Sequence, residues 1–368
     1  MKIIVNKNEI CESESNVQRA VSSKTSLAAL EGILLEAKAG KITFSGYDME
    51  LGIKTSIEAE IIIEGSIILN ARLFSDILRR LPDDKILIET DEKFMTNIVS
   101  GTAEFSILGI NAEEFPEMPA VNDESEVFLN AGMLKEMING TIYAVAVDDA
   151  KPVQKGVLFE INNKTISLVA VDGYRLAIRK ELINSDCEMK FVVPGKTLNE
   201  IVKLITDDDA DIEIKLGKRH ILFKINDFTV ISRLLEGDFL DYRSAVGFDH
   251  NCEIVVNNKE LFSSVERISL LITDKLKSPV RCTFEDNKIN LRCTTAVGKA
   301  YDTLECKQDG ERLEIGFNNR YFLDALKACE SATIWRAMIN GSYFSAWPQS
   351  TSRNYVMNVS REDEGAVP

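Results

Sequence analysis

With 368 residues, 45% apolar content and a net charge of −15, the chain is long enough for two or three domains that each bury a core. No apolar run approaches the roughly 18 residues that span a bilayer, and Met1-Lys2-Ile3-Ile4 lacks the long apolar stretch of a secretory signal, so a soluble cytoplasmic protein without a membrane partner is expected. The seven cysteines are scattered and never form a Cys-x-x-Cys pair, which points to reduced, packed thiols and neither to a disulfide framework nor to a zinc site.

The first element, Ile3-Ile4-Val5-Asn6, is a short apolar strand ending in a helix-capping residue, and five similar segments follow. They are Ile67-Ile68-Leu69-Asn70, Val127-Phe128-Leu129-Asn130, Phe191-Val192-Val193-Pro194, Ile254-Val255-Val256-Asn257 and Ile315-Gly316-Phe317-Asn318. Successive caps lie 64, 60, 64, 63 and 61 residues apart, so the chain is a tandem triplicate of units of about 122 residues. After the second cap, Leu73, Phe74, Ile77, Leu78 and Leu81 share one face of a helix predicted over 71–81, with Arg72, Asp76 and Arg79 on the other. Pro82-Asp83-Asp84 stops it, and strands are predicted at 85–89, 95–99 and 104–108. The fourth copy repeats this with a helix over 196–205 and strands at 212–216, 220–225 and 229–234. One helix per roughly 60 residues among antiparallel strands predicts an α+β fold with all helices on one side of the sheets. Linkers are expected after Phe115-Pro116-Glu117-Met118-Pro119 and the repeat-related Phe239-Leu240-Asp241-Tyr242-Arg243, which gives domains 1–120, 125–245 and 250–368.

Shape then constrains function. Domains of about 120 residues have radii of gyration near 14 Å, and only a hexagon of them leaves a hole of roughly 30 Å, wide enough for a DNA duplex. Three quasi-equivalent domains carry complementary head and tail surfaces, so a head-to-tail dimer closes such a ring. The six predicted helices together carry a charge of +1, so the −15 resides elsewhere. Arg72, Arg79, Lys135, Lys196, Lys203, Arg267, Arg320 and Lys327 are the helix cations available to a loosely basic pore that would hold duplex DNA without reading its sequence.

Three segments carry a family resemblance: Ala170-Val171-Asp172-Gly173-Tyr174-Arg175-Leu176-Ala177, then Leu235-Glu236-Gly237-Asp238-Phe239-Leu240-Asp241-Tyr242-Arg243, then Gly316-Phe317-Asn318-Asn319-Arg320-Tyr321-Phe322-Leu323-Asp324-Ala325-Leu326. In order and spacing they resemble the bacterial DNA polymerase III β subunit, the replicative sliding clamps. The resemblance implies the DNA clamp fold: three domains, each of two strand-helix-strands units, in a dimeric ring with helices inside and sheets outside. It implies a non-catalytic processivity factor whose partners are double-stranded DNA, the replicative polymerase catalytic subunit, an ATP-driven clamp loader, and repair polymerases and other proteins bearing a short peptide motif. The implied peptide groove consists of Val171, Gly173, Tyr174, Arg175, Leu176, Leu240 and Tyr242, with Val356 and Met357 from the closing strand. Lys24 resembles a DNA-contacting basic residue of the family. Phe105 and Leu108 with Leu270 and Leu271 are the implied homodimer contacts. Leu240 stands where the family has proline, and the tail beyond Tyr355 departs from the family's apolar-Pro-apolar-Arg ending.

Chemistry elsewhere in the chain is sparse. Two histidines, no Gly-x-x-x-x-Gly-Lys loop and no His-Glu-x-x-His argue against an enzyme, and no metal or cofactor is expected. Asp148-Asp149 and Asp207-Asp208-Asp209 read as solvated turns. The competing functional reading is a repeat-built interaction scaffold that does not encircle DNA.

Overall fold

Each apolar triplet runs as a strand straight into a helix, and five of the six capping residues close the helix with their own side chain. Asn6 Oδ1 accepts from the backbone N–H groups of Asn8 and Glu9, Asn70 from Leu73, Asn130 from Met133, Asn257 from Glu260, and Asn318 from Arg320 and Tyr321. Such a side chain replaces the hydrogen-bond partner that the first turn of a helix lacks. Pro194 has no oxygen to offer beyond its carbonyl and simply ends its strand. The fourth residue after every cap is buried: Ile10, Phe74, Leu134, Leu198, Leu261 and Phe322 are each no more than 1% exposed. A cap and a knob four residues later set the same helix face toward the core in every copy.

The computed structural model describes residues 1–22, 25–121, 125–147, 151–245, 252–273, 278–329, 335–340, 343–348 and 356–360, with backbone alone at 244–245 and from 335 on. Six half-units follow one another. The first is β1 (Lys2–Asn6), α1 (Lys7–Val17), β2 (Gly32–Lys38), β3 (Lys41–Tyr47) and β4 (Leu51–Glu58), with a short β5 (Glu60–Ile63). The second is β6 (Gly65–Asn70), α2 (Ala71–Leu78), β7 (Lys85–Thr90), β8 (Met95–Ser100) and β9 (Ala103–Leu108). The third is β10 (Ser125–Asn130), α3 (Ala131–Asn139), β11 (Gly156–Asn162), β12 (Thr165–Val171) and β13 (Arg175–Leu182). The fourth is β14 (Met189–Pro194), α4 (Gly195–Leu204), β15 (Asp211–Leu216), β16 (His220–Ile225) and β17 (Phe228–Arg233). The fifth is β18 (Cys252–Val256), α5 (Asn258–Ser269), β19 (Val280–Glu285), β20 (Lys288–Thr295) and β21 (Gly298–Glu305), with a short β22 (Lys307–Gly310). The sixth is β23 (Leu313–Phe317), α6 (Asn319–Ala328), β24 (Trp335–Asn340), β25 (Tyr343–Pro348) and β26 (Val356–Ser360).

Helix 71–81 of the sequence reading ends at Leu78, and residues 79–81 continue as a tightened turn through Arg80 N–H to Ile77 C=O. The third helix runs only to Asn139, where Gly140 ends it, and Ile142–Ala144 forms a separate 3-10 turn.

The sheets do not respect the repeat boundaries. One eight-stranded sheet runs β10-β15-β16-β17-β4-β3-β2-β6, and a nine-stranded one runs β22-β18-β24-β25-β26-β13-β12-β11-β14. Apart from β22 the two orders are the same, with β17 against β4 in one and β26 against β13 in the other. Two smaller sheets, β5-β1-β7-β8-β9 and β21-β20-β19-β23, hold the remaining strands. Because the two large sheets join halves of successive repeats, the chain divides by its contacts into two units. One comprises Met1–Met133 with Asn199–Leu234, the other Leu134–Leu198 with Leu235–Pro368. In the second unit α5 and α6 pack over Val280, Phe284, Leu291 and Phe317, and five of the seven free cysteines are buried in that cluster.

Candidate functional site

The turn between β12 and β13 is built by one aspartate. Asp172 Oδ1 accepts from the backbone N–H groups of both Tyr174 and Arg175 at 3.0 Å, and Gly173 adopts φ +92°, a conformation that side-chain-bearing residues rarely take. The turn lifts Tyr174 into solvent, 62% exposed, and folds Arg175 back to 8% exposure. Arg175 Nε donates to Asp172 Oδ2 at 2.8 Å and Nη1 to Asp324 Oδ2 at 2.7 Å. Its guanidinium lies 4.3 Å from the ring centroid of Tyr321 and 5.7 Å from that of Tyr143. Two carboxylates and two aromatic faces therefore compensate one desolvated cation, and the turn is tied to α6. Burial pushes the Tyr143 phenol well above its ordinary range.

Below the turn lies an apolar bed. Val171 and Leu176 pack with Leu158, Val169, Ile178, Val192 and the ring of Tyr242, and Val153, Leu235 and Phe239 close around them. Tyr242, read from the sequence as a groove residue, is 4% exposed and donates its hydroxyl hydrogen bond to Glu160 Oε2 at 2.6 Å, so it supports the surface from beneath. Accessible groove residues are Gly173, Tyr174, whose ring lies 6.2 Å from that of Tyr321, and Leu240, 48% exposed. This combination of exposed aromatic and apolar groups on a fixed, charge-compensated base suits an apolar side chain of a short peptide. On the backbone β26 pairs with β13, which sets Met357 opposite Ala177 and Val356 opposite Ile178. The side chains of Val356 and Met357 fall outside the described residues.

Arg72, Arg79, Lys196, Lys203, Arg320 and Lys327 are exposed on or at the ends of their helices, and Lys135 is half-buried. Lys24 lies outside the described residues. Lys203 pairs with Glu200 at 2.8 Å, while Arg267 of α5 is held by Asp302 of β21. Of the residues read as dimer contacts, Leu108 and Leu270 are 69% and 80% exposed, Phe105 is 38% exposed, and Leu271 packs partly against the core of its own unit. Among the described residues no three His, Cys, Asp or Glu side chains converge on a common metal position, and no helix is long and apolar enough to cross a membrane.

The sequence assigns no site role to Tyr143, Glu160, Tyr321 or Asp324, although the last two stand in one of the three family-like segments. A signal existed for two of them, because Tyr321 and Asp324 stand three apart on α6 and so share a helix face.

Comparison with known families accounts for nearly the whole chain. Residues 1–119, 128–241 and 244–357 match, in turn, the N-terminal, central and C-terminal domains of the DNA polymerase III beta subunit. The chain belongs to the DNA polymerase III beta subunit family. The beta sliding clamp of Bacillus subtilis is 33% identical over 347 residues, 91% of this chain and 92% of the relative, and that of Staphylococcus epidermidis is 30% identical over 342. Among solved structures, a putative DNA polymerase III beta subunit from Eubacterium rectale superposes with a TM-score of 0.94 at 32% identity, covering both chains fully. The sliding clamp from Bacillus subtilis gives the same TM-score at 30% identity over 99% of each chain. The fold is thus the three-domain clamp fold of the beta subunit family.

Proposed function

We propose that the chain works in the cytoplasm as a processivity clamp, a head-to-tail dimer that encloses duplex DNA and holds polymerases and a clamp loader through the 172–176 surface. The observation that carries this reading is an incompleteness in the sheet pattern. In the order common to the two large sheets, the last strand of one half-unit, β17 or β26, lies antiparallel against β4 or β13. Among the described residues the same position is open at β9 in the first unit and at β21 in the second, the edges of the two small sheets. Unpaired edges are templates for another strand, and a second copy of the chain offers the missing partner at both ends. Copying the register of β17 on β4 onto these strands sets Glu104 opposite Tyr301, Phe105 opposite Ala300, Ser106 opposite Lys299 and Ile107 opposite Gly298. Exposed Leu108 and Leu270 then lie where an interface needs apolar area. Lys24 and the helix cations other than Arg267, which Asp302 holds, would face the duplex and hold it loosely by its phosphates.

No catalytic step is assigned to the chain. Its contribution is topological, and the test is topological too. After loading, the protein stays on circular DNA through a gel-filtration column and is released when the circle is linearised. Equal loss from both substrates, or a stable monomer of about 41 kDa, favours the scaffold reading.

A further inference from the structure

The connector 235–243 holds part of the peptide surface yet has no regular structure until the 3-10 turn at Tyr242–Ala245. Such a segment needs an anchor, since each ordered residue costs conformational entropy. One end is fixed by Leu235 N–H, which donates to Val192 C=O at 3.0 Å. The other end converges on a single buried carboxylate. Glu160 of β11 is 6% exposed, and its Oε2 accepts from the Tyr242 hydroxyl at 2.6 Å and from Arg243 Nη2 at 2.7 Å. Its Oε1 takes a third partner, the Lys190 ammonium, at 3.2 Å from neighbouring β14. Between these two ends stand Phe239, against the cluster of Val171 and Leu176, and exposed Leu240.

We propose that Glu160 is the positioning residue of the peptide surface: by accepting from Tyr242 and Arg243 on one oxygen it locks the connector, and so Leu240, against the Val171–Leu176 bed. The inference rests on the peptide-binding reading above. Glu160 itself, beneath the connector, need not touch the peptide. Burial opposes its ionisation, but the Tyr242 and Lys190 hydrogen bonds and the Arg243 charge outweigh that and hold the carboxyl below the usual carboxylate range. The carboxylate is therefore charged whenever the protein is near neutral pH, and the lock is permanent under those conditions. Three donors on one acceptor group explain why an acidic residue occupies an otherwise apolar strand, whose neighbours Leu158, Phe159 and Ile161 are all buried.

The test uses the full-length protein and a fluorescein-labelled pentapeptide with Leu and Phe anchors, titrated by anisotropy against four variants. Leu176→Ala reports on the apolar bed that carries the surface. Glu160→Ala is expected to weaken binding on the order of tenfold, the loss of a charged hydrogen-bond acceptor. Tyr242→Phe, which keeps the ring in its cluster, is expected to weaken it several-fold. The double variant is expected to be no weaker than Glu160→Ala alone, because both act through one lock. Amide exchange over 236–243 should accelerate in Glu160→Ala while the mass in gel filtration stays unchanged, a pattern that general destabilisation does not give. If Leu176→Ala leaves affinity unaltered, the peptide reading falls. If Leu176→Ala weakens binding but Glu160→Ala does not, or the two lock variants add, the positioning role alone is overturned.

Discussion

The first and second repeats make the same turn and dress it with different side chains. Asp48 Oδ1 accepts from Glu50 and Leu51 N–H at 3.0 and 2.7 Å, just as Asp172 does from Tyr174 and Arg175, and Met49 takes φ +74° where Gly173 takes +92°. Both turns precede a strand that pairs with the closing strand of a later half-unit, and both lie near a connector. In the first repeat the connector residue Met118 lies against Gly52, where a Cβ would come within 2.7 Å of its sulfur. In the second repeat the position of Gly52 is Leu176, that of Leu51 is Arg175 and that of Glu50 is Tyr174. The same backbone turn therefore carries different chemistry in the two repeats, and three neighbouring side chains separate a structural junction from the proposed peptide surface.

The sharpest way to break this contrast is to strip the second turn. Tyr174→Ala with Leu176→Ala should lower affinity for an apolar peptide by roughly two orders of magnitude, measured by calorimetry, with the dimer intact. Glu50→Ala at the matching place in the first repeat should change nothing. Next in size is Arg175→Ala, which leaves Asp172 and Asp324 facing each other without their cation and should cost about 3 kcal/mol in denaturant unfolding. Asp324→Asn should cost less, because Asp172 still pairs with Arg175.

A smaller effect concerns helix faces. The eighth residue after the cap is Ile138 in the third half-unit and Val265 in the fifth, both fully buried, but Glu14 in the first, 1% exposed. Burial drives the Glu14 carboxyl up to about 7, with Ser75 and Arg79 pulling the other way. Since the folded value lies above the ordinary 4.5, the folded state takes up a proton between them, and stability falls as pH rises through 7. Glu14→Gln should therefore stabilise by about 2 kcal/mol at pH 8 and leave pH 4 unaltered, read from urea midpoints. Smallest is the backbone term. Gly173→Ala should destabilise by about 1 kcal/mol although nothing lies within 4 Å of the added Cβ, whereas Met49→Gly relieves the same strain and should stabilise by a few tenths.

Local features of the fold were legible in the sequence. An Asn, or in the fourth copy Pro194, ending an apolar triplet and followed four residues later by a large apolar side chain needs no distant partner to be recognised, and all six copies form helices. What was hidden depends on long separations. Arg175 meets Asp324 across 149 residues, and Tyr242 finds Glu160 across 82. Tyr242 is a groove residue in the reading that the family resemblance of its segment implies. Its ring instead fills an apolar bed, and its hydroxyl has a buried acceptor that no pattern within the connector reveals. The division into two units was equally invisible, since strand pairing across a repeat boundary leaves no periodic trace in either strand.

That pairing bears on how the chain is made. Thr55 Oγ1 at the edge of β4 donates to Asp227 C=O, 172 residues further along. At ordinary rates of synthesis the first repeat waits roughly ten to thirty seconds on the ribosome before its neighbouring strand exists. Throughout that interval a nascent chain shows an unsatisfied strand edge beside the exposed Met49, the kind of surface that chaperones cover and that neighbouring chains on one message can join by mistake.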